Sequence, residues 1–466
     1  MESLSEPIPM GGHWTSMFSE GEDLTWRLIP YILVWAAFGL VFLIWLFITL
    51  FVPEPRKPLP SEKTFTTIEA TGSVTAPEPL PCWYDNLSRR INAARKKQEQ
   101  GGGDSKPHEK ESDLESEIEP AELFMTLVVP AYNEEHRLTG MLEEAVNFLE
   151  NAYGTGKGST GPGDIIEITE DTESTTTSTP TGKTTRRRKA NGTSTSTSTS
   201  TSKSSTSTPS TSTSKPTLPS SATKGWEILL IDDGSTDKTL EIAQEFSRVH
   251  ILPKQPRRAS GPWTHRSETA VKIPAGSIRM VSLAQNRGKG GAVTHGMRHA
   301  RGAYVVFADA DGASDIADLG KLVTACQEAE DGRGRAVAVG SRAHLVGSAA
   351  VVQRSALRNF LMHSFHLLLR LMTPPATARI RDTQCGFKLF SRATLPFIVP
   401  HMHMDGWIFD VEMLMLAEFA GIPVVEVPVG WREVVGSKLN VVKDSVGMAW
   451  GLALLRLCWG VGIYRR

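Results

Sequence analysis

Cysteine is scarce in this sequence, and neither sign of charge dominates it. The 466 residues include four cysteines, and 50 Lys and Arg against 51 Asp and Glu give a formal net charge of -1. Cys82, Cys326, Cys385 and Cys458 have neither metal-ligand spacing nor a paired pattern, which indicates free thiols in a reducing compartment. The balanced charge excludes the strongly basic class of nucleic-acid-binding proteins, so we expect no nucleic-acid partner.

Long apolar runs are also rare, and the clearest is residues 28–52, which carry no charge. As a helix this run would rise about 37 Å, against a hydrocarbon core of about 30 Å, so it predicts one transmembrane helix. It is too long and aromatic for a signal-peptide core, and no small-residue cleavage site follows, so we expect a retained signal anchor. Arg56, Lys57 and Lys63 follow the run, whereas acidic residues predominate before it. This asymmetry predicts a short lumenal N-terminus over 1–27 and a cytosolic remainder.

The composition beyond this helix divides into a polar segment and a longer patterned one. Residues 53–120 are rich in Pro, Lys and Glu, which predicts a flexible tether with one possible short helix at 83–98. Residues 121–440 alternate apolar strands, such as 124–129, 226–231 and 303–308, with helical patterns. That alternation predicts an α/β domain with a mostly parallel sheet and helices on both faces.

Four other segments stand apart from this pattern. The Ser/Thr repeats of 153–224 cannot bury a core and predict a disordered insertion, and the polar stretch 252–275 predicts a second insertion. Residues 441–466 predict a membrane-proximal helix, for which an interfacial position and core packing both remain open. The same two alternatives hold for the amphipathic segment 356–372. After it, Trp407, Phe409, Met413 and Leu416 are expected in the core rather than on a sugar-binding surface.

Two carboxylates, Asp309 and Asp311, come directly after a strand of the kind that is buried. Residues i and i+2 of an extended chain point the same way, so the two side chains would repel each other unless a cation lay between them. Hard oxygen ligands that hold Mg²⁺ or Mn²⁺ are the usual means of binding a diphosphate. An alternative is that both residues cap the following helix and line a solvated loop.

Polar motifs also follow the other strands of the predicted sheet. Asp232, at the end of its strand, is a candidate ligand, whereas Asp233, Ser235 and Asp237 are expected as turn and N-cap residues. Lys289 opens a helix and would face an anion together with backbone N–H groups. Because Gly rather than Ser or Thr follows Gly-Lys, the motif is not a P-loop. Since ligands of such sheets bind beyond the carboxyl ends of the strands, these motifs predict one shared site.

The motifs PAYNEE, DDGSTDKT, NRGKGGA and DADG, in this order, resemble the inverting glycosyltransferases of family 2, which have the GT-A fold. The resemblance covers about residues 124–440 without the insertions. The later motifs GSRAH, RDTQCGFKLF, WIFDVE and WREVVGSK resemble those of the dolichyl-phosphate glucosyltransferases of the endoplasmic reticulum. The sequence lacks the Gln-x-x-Arg-Trp motif of processive polysaccharide synthases, so a polymerising enzyme is not expected.

The resemblance implies roles for the matched residues. The uridine site would be lined by Pro130, Tyr132, Glu134 and Asp232. Asp309 and Asp311 would hold Mg²⁺ or Mn²⁺ on the diphosphate, and the phosphate groups would contact Lys289 and Arg342. The acceptor phosphate would meet Arg342, Arg354 and Arg358, although a solvated helix face is an equal alternative for the last two. Asp410 lies where related enzymes with hydroxyl acceptors have a base, and orientation or helix-start structure is the favoured role for it here.

The family implies transfer of glucose from UDP-glucose to dolichyl phosphate with inversion, on the cytosolic face of the endoplasmic reticulum membrane. The product would be the lipid-linked glucose donor for protein N-glycosylation. The acceptor phosphate has a second pKa of about 6 by analogy, so it is largely ionised and needs no strong general base. A mannosyltransferase that uses GDP-mannose is one alternative, and a non-catalytic, membrane-tethered nucleotide-sugar binder is another. The presence of Asp309, Asp311 and Lys289 argues against the binder.

Overall fold

The structure is a computed structural model that describes residues 14–52, 54–100, 118–154, 224–251, 271–345, 356–434 and 441–464. Most of the predicted insertion at 153–224, and most of the one at 252–275, lies outside these ranges, so both predictions remain untested.

A seven-stranded sheet forms the centre of the domain, in the order β5-β4-β3-β6-β8-β7-β9. Its strands are β3 (Leu123–Ala131), β4 (Trp226–Asp232), β5 (Ile278–Ser282), β6 (Gly302–Ala308), β7 (Val337–Ser341), β8 (Phe387–Ser391) and β9 (Val424–Pro428), while β1 (Thr64–Phe65) and β2 (Glu78–Pro79) form a separate two-stranded sheet. Strands β3 to β6 are mutually parallel, and β8 is antiparallel to both of its neighbours. The predicted α/β class with a mostly parallel sheet is confirmed.

Helices cover both faces of this sheet. The described α-helices are α1 (Trp14–Phe51), α2 (Trp83–Gln100), α3 (Leu138–Tyr153), α4 (Thr239–Ile251), α5 (Lys289–Arg298), α6 (Leu319–Ala329), α7 (Ala356–Met372), α8 (Pro375–Arg379), α9 (Leu395–Ile398), α10 (Phe409–Phe419) and α11 (Val441–Gly460). Strand β3 feeds two cores because its side chains alternate: Val128 packs with Val293 of α5, whereas Leu127 packs on the opposite face with Leu142 of α3.

Helix α1 contains the predicted transmembrane run. Its segment Leu28–Phe47 has a mean hydropathy of 2.3, and no part of it is buried in the protein. In the described part of the chain this is the one helix that is long and apolar enough to cross a membrane. Because an apolar surface of this size is costly in water, the exposed segment fits membrane association.

The C-terminal helix α11 is packed on one side and exposed on the other. Leu452, Leu455 and Cys458 are buried in the domain core, whereas Val446 and Trp450 are exposed. The ring of Trp450 lies 6.1 Å from the ring of Phe47 near the end of α1. Core packing therefore accounts for one face of the helix, and the other face lies beside the end of the apolar helix.

The predicted tether over 53–120 is wrong for residues 54–100, although the possible short helix at 83–98 within it is confirmed as α2. A 3₁₀ helix over Pro60–Lys63, strands β1 and β2, and helix α2 pack on the domain. Trp83 is buried and donates its indole N–H to the carbonyl of Met297 at 2.7 Å. Burial of Phe65 and Ile68 adds apolar contacts that a count of Pro, Lys and Glu does not register. Residues 101–117 of the predicted tether lie outside the described residues.

Two buried histidines, His295 on α5 and His299 just after it, hold this N-terminal segment. Nε2 of His295 lies 2.9 Å from the carbonyl oxygen of Glu62, and Nδ1 of His299 lies 2.8 Å from that of Pro81. Burial, reinforced by nearby charges that include Arg298, lowers the pKa of His295 to about 3, and burial lowers that of His299 to about 4. The other charged groups that face them are Arg287, Lys63 and Asp85. Both rings are therefore neutral in the folded protein.

We expect acid to weaken the fold through these two histidines. Between about pH 6.5 and pH 4 the unfolded chain binds protons at these side chains that the folded chain does not. The free energy of unfolding therefore decreases as the pH is lowered through this range. The expected loss between pH 7 and pH 5 is about 1 to 4 kcal/mol. Thermal unfolding in detergent at several pH values would measure it, with the double variant His295→Gln/His299→Asn flattening the dependence. An equally steep dependence in that variant would contradict the assignment, and His136→Asn, at an exposed position, serves as the control.

Candidate functional site

The polar motifs meet where the sheet reverses its strand order. The chain runs from β3 to β4 and β5 in one direction and then returns to place β6 on the other side of β3. Ala131 pairs with Asp232, and Val128 pairs with Phe307, so β3, β4 and β6 end at the same edge. Crevices at such reversals are the usual ligand sites of parallel sheets. Loops after all three strands therefore surround one site, as the sequence predicts.

Asp309, just after β6, is paired with Lys289 at the start of α5. Nζ of Lys289 lies 2.6 Å from Oδ1 of Asp309. That oxygen is buried and receives no donor with hydrogen-bond geometry, so the contact is an ion pair. Burial alone would lower the pKa of Lys289, but the carboxylates of Asp309, Asp410 and Asp311 outweigh it and hold this pKa above its usual value. The lysine is thus a fixed positive charge in the site.

Asp311 shares the same electrostatic environment. One of its oxygens accepts the N–H of Ala313 at 3.0 Å, and the other lies 3.8 Å from Nη1 of Arg137. Burial, and then repulsion by Asp309, raise the pKa of Asp311 above its usual value. The helix-cap alternative is not met by Asp311, because the next helical turn begins at Ile316 and is capped by Asp315. The repulsion between Asp309 and Asp311 therefore remains.

These two carboxylates fit a divalent cation. The described residues offer no cluster of three or more His, Cys, Asp or Glu side chains that could hold a metal ion by themselves. Two hard oxygen donors beside an ionised lysine leave coordination positions for diphosphate oxygens and water, which is how Mg²⁺ is commonly held. The buried Oδ1 of Asp309 without a hydrogen-bond donor is consistent with a role as a ligand.

Gly386 controls the position of Asp309 and was not identified from the sequence. A Cβ atom at Gly386 would lie 2.1 Å from Oδ2 and 2.4 Å from Cγ of Asp309. Real Cβ atoms do not approach other atoms so closely, so any side chain here would push the carboxylate away. The residue belongs to the quoted RDTQCGFKLF motif, but only the antiparallel pairing of β8 with β6 brings it against Asp309.

Asp233 holds the loop that carries Lys289, which differs from its predicted role in a turn. Its carboxylate accepts the backbone N–H groups of Arg287 at 2.7 Å and Gly288 at 2.9 Å. Burial raises the pKa of Asp233 to about 6, although these hydrogen bonds oppose the shift. Gly288 has a φ of 85°, a conformation that favours glycine, and α5 begins at the next residue. The position of this loop is therefore fixed by the residue that directly follows β4.

The loop after β3 is also fixed by side chains. Oδ1 of Asn133, which has a φ of 55°, accepts the N–H of Thr236 at 2.7 Å. Both oxygens of Glu134 accept hydrogen bonds from Arg137 at 2.7 Å, so this carboxylate holds the loop. Asp232 is buried and accepts the N–H of Ser235 at 3.2 Å.

Pro130 and Tyr132 complete the predicted uridine surface. Pro130 is half-buried near the end of β3, and Tyr132 is exposed directly after the strand. The structure brings Pro130, Tyr132, Glu134 and Asp232 to the same sheet edge, and contact of these residues with a nucleotide stays a prediction.

Asp410 lies beneath the site in a fully buried ion pair. Nζ of Lys388 lies 2.5 Å from Oδ1 of Asp410 and 2.7 Å from the carbonyl oxygen of Cys385. Burial raises the pKa of Asp410, while Lys388 and then Lys289 oppose the shift. A carboxylate that is enclosed and bonded to an ammonium group has no access to an acceptor proton. This geometry favours the orienting role over proton abstraction, and sequence reasoning did not identify Lys388.

Arg342 is held rigidly beside the site. Its Nε and Nη2 donate to the two oxygens of Asp382 at 2.7 and 2.9 Å, and its guanidinium lies 5.7 Å from the ring of Trp431. Burial would lower the pKa of Arg342, but Asp382 and, more weakly, Asp309 raise it. Arg354 and Arg358 were predicted to contact the acceptor phosphate. Arg354 lies outside the described residues, and Arg358 lies on α7, but its side chain is not among the described side chains.

Trp407 is exposed at the mouth of the site, so the predicted core position is wrong for this residue. Its side chain is 41% exposed, and Nζ of Lys289 lies 5.6 Å from the centre of its ring. Phe409, Met413 and Leu416 are buried as expected. The difference arises because α10 begins at Phe409, so Trp407 precedes the helix and does not share its buried face.

Sequence comparisons relate the chain to known glycosyltransferases. A family model described as Glycosyl transferase family 2 matches residues 218–261 and 268–380. A dolichyl-phosphate beta-glucosyltransferase of Saccharomyces cerevisiae is 31% identical over 433 residues, which cover 92% of this chain and 92% of that protein. A protein of the same name from Dictyostelium discoideum is 32% identical and covers 74% of this chain and 77% of its own length. The human protein of that name is 35% identical over 52% of this chain and 66% of its own.

A search of solved structures found more distant similarity. Glucosyl-3-phosphoglycerate synthase from Mycobacterium tuberculosis, in complex with Mn²⁺, uridine diphosphate and glucosyl-3-phosphoglycerate, matches 72% of this chain and 80% of its own, with 14% identity and a TM-score of 0.38.

Proposed function

Because the chain belongs to the dolichyl-phosphate beta-glucosyltransferases of glycosyl transferase family 2, we propose that it transfers glucose from UDP-glucose to dolichyl phosphate with inversion at the sugar carbon. The main support from its own residues is the convergence of Asp309, Asp311 and Lys289 at the reversal of the sheet. Two clustered carboxylates and a fixed ammonium suit a metal-bound diphosphate, because Mg²⁺ is commonly held by one or two carboxylates together with substrate phosphates.

The residues around the diphosphate would prepare the leaving group. Asp309 and Asp311 would hold Mg²⁺ or Mn²⁺, which supplies positive charge where the departing diphosphate gains negative charge. Lys289 is already oriented toward the same place by Asp309. Arg342 is prevented from swinging away by Asp382. Preorganised charges of this kind lower the barrier because they need not reorient as the bond breaks.

The acceptor explains why no general base is required. A phosphate monoester has a second pKa of about 6, so its oxygen is largely ionised at cytosolic pH and can attack directly. Asp410 is enclosed with Lys388 and is correspondingly assigned an orienting role. Direct attack on the face opposite the leaving group would invert the configuration of the sugar carbon. Arg342, Arg354 and Arg358 are the proposed contacts of the acceptor phosphate, because guanidinium donors match phosphate oxygens.

We further propose a single-pass protein of the endoplasmic reticulum membrane whose site faces the cytosol. The exposed apolar segment Leu28–Phe47 and the basic residues that follow it support this arrangement. The contact between Phe47 and Trp450 brings α11 to the end of the apolar helix, which would keep the domain close to lipid. A lipid-bound acceptor would then reach the site without leaving the membrane.

The experiment that tests this function compares donors. Purified protein in detergent with Mn²⁺ and dolichyl phosphate is given labelled UDP-glucose, UDP-N-acetylglucosamine or GDP-mannose, and lipid is extracted. We expect labelled lipid from UDP-glucose, at least about 100-fold more than from the others, because polar groups of a mismatched sugar or base leave buried partners unpaired. Label from GDP-mannose alone would favour a mannosyltransferase. Binding of nucleotide without labelled lipid from any donor would favour a binding protein.

A further inference from the structure

The segment that leaves the membrane helix lies directly on the loop that carries Lys289. We call residues 54–63 the strap and residues 283–288 the donor loop. The strap begins three residues after α1 ends at Phe51 and includes the 3₁₀ helix Pro60–Lys63. The donor loop joins β5 to α5, whose first residue is Lys289.

Glu62 of the strap is enclosed by the donor loop. It is 1% exposed, and one of its carboxylate oxygens accepts the backbone N–H of Ala284 at 3.0 Å. The other oxygen is paired with the guanidinium of Arg287 and accepts the N–H of Leu59 at 2.8 Å. A buried carboxylate needs such partners, and two of these three, Ala284 and Arg287, belong to the donor loop. An isolated tether would not bury an acid in this way.

Arg287 makes the same connection in the opposite direction. Its side chain is 7% exposed, and Nη1 donates to the carbonyl oxygen of Arg56 at 2.6 Å. Nη2 donates to the carbonyl oxygen of Lys57 at 3.1 Å and pairs with Glu62. In return, Nη1 of Arg56 donates to the side-chain oxygen of Gln285 at 3.1 Å. Charged groups and backbone atoms of the strap are thus bonded to four residues of the donor loop, Ala284, Gln285, Asn286 and Arg287.

The bonds of the strap act close to the charged group of the site. Arg287 is two residues before Lys289, and its backbone N–H is bonded to Asp233 on the opposite side of the loop. The donor loop is therefore held on one side by Asp233, directly after β4, and on the other side by the strap. Gly288, with its φ of 85°, has little stiffness of its own, so these outer contacts set the position of the Lys289 backbone, while the ion pair with Asp309 orients its side chain.

We propose that the strap is a working part of the donor site and that Glu62 and Arg287 are a positioning pair for Lys289. The inference depends on the proposed function only in naming the ligand, a nucleoside diphosphate whose phosphates meet Lys289. The pair touches no substrate and acts through the loop. The strap, which includes Arg56 and directly follows the apolar helix α1, thereby connects that helix to the nucleotide site.

The test uses the full-length protein in detergent and measures both substrates separately. Glu62→Gln and Arg287→Met are expected to raise the KM for UDP-glucose about 10-fold or more and to leave the KM for dolichyl phosphate within about 2-fold, because second-layer partners of a ligand typically act at this scale. In the double variant, the KM for UDP-glucose is expected to be within about 2-fold of that of the more impaired single variant, because both changes break the same pair. Glu69→Gln, at an exposed site in the following turn, is the matched control and should behave as wild type.

Thermal stability and the thermal shift caused by UDP distinguish a positioning role of the pair from a purely stabilising one. They also give a result that does not depend on glucosyl transfer. The rise in the thermal midpoint caused by UDP with Mn²⁺ is expected to shrink in both single variants and to remain in Glu69→Gln. If the variants lose thermal stability but retain the wild-type KM for UDP-glucose and the wild-type UDP shift, the pair is only structural and the proposal is overturned. If wild type binds UDP but does not glucosylate dolichyl phosphate, the proposed function fails, and the UDP shift still decides the strap. Arg56→Ala, at an exposed position, is expected to give a smaller donor-specific loss without unfolding.

Discussion

Asp311→Asn is expected to lower kcat about 10²- to 10³-fold or more, with the protein still folded. Asn keeps the shape of the side chain and its hydrogen bond to Ala313 but removes one of the two charges that would hold the cation. The pKa of Asp311 is raised, first by burial and then by Asp309, so ionised Asp311 is costly in the metal-free protein. Neutralisation should therefore leave the thermal midpoint of the metal-free protein unchanged or higher.

Transfer of label from UDP-glucose to dolichyl phosphate would measure the loss in Asp311→Asn. The thermal shift caused by Mn²⁺ with UDP provides a second readout and is expected to be strongly reduced. Asp315→Asn is the matched control, because Asp315 lies on the same loop, accepts the N–H of Ala317 at 3.0 Å, and can be replaced by another good capping residue. Full activity of Asp311→Asn in the presence of a chelator would exclude a metal role for the pair.

Gly386→Ala is expected to lower kcat by as much as the replacement of a catalytic residue often does. The added Cβ would lie 2.1 Å from Oδ2 of Asp309, so the carboxylate must rotate or β6 and β8 must separate. Either movement displaces a proposed metal ligand and the partner of Lys289. Displacement of a reacting group by about 1 Å can lower the rate about 10²-fold, and we expect a fall in kcat of at least that size.

The measurement for Gly386→Ala combines kcat with the midpoint of thermal unfolding. Gly320→Ala is a suitable control, since a Cβ there meets only Phe148 at 3.8 Å, an ordinary contact, on a helix that alanine favours. We expect Gly320→Ala to retain wild-type activity. Wild-type kcat in Gly386→Ala would show that Asp309 has freedom the close approach does not allow, and it would contradict the positions assigned to both residues.

The sequence predicted those parts of the site that follow from local rules. Asp309 and Asp311 could be identified because carboxylates directly after a buried strand are costly without a cation, and Lys289 because it opens a helix after Gly288. Each of these inferences depends on neighbours in the chain and on the rule that parallel strands end at one edge. The order of strands then brought the motifs together as expected.

Residues whose roles depend on distant partners were missed. Lys388 looks like an ordinary strand residue, yet it is buried against Asp410 from another element. Glu62 lies in a Pro- and Lys-rich segment, and its burial depends on Arg287, 225 positions away. Trp407 was assigned to the core from its apolar neighbours, although the helix starts two residues later and leaves its ring exposed.

The amino-acid sequence by itself determined the apolar helix long enough to cross a membrane, the α/β class, the family and the acidic pair, since each is a property of a short segment or of motif order. Only the tertiary structure decided that residues 54–63 belong to the domain, that Gly386 sets the place of Asp309, and that Asp410 is neutralised by Lys388. These facts arise from packing between segments far apart in the chain, where one unpaired buried charge or one added methyl group is costly enough to decide the arrangement.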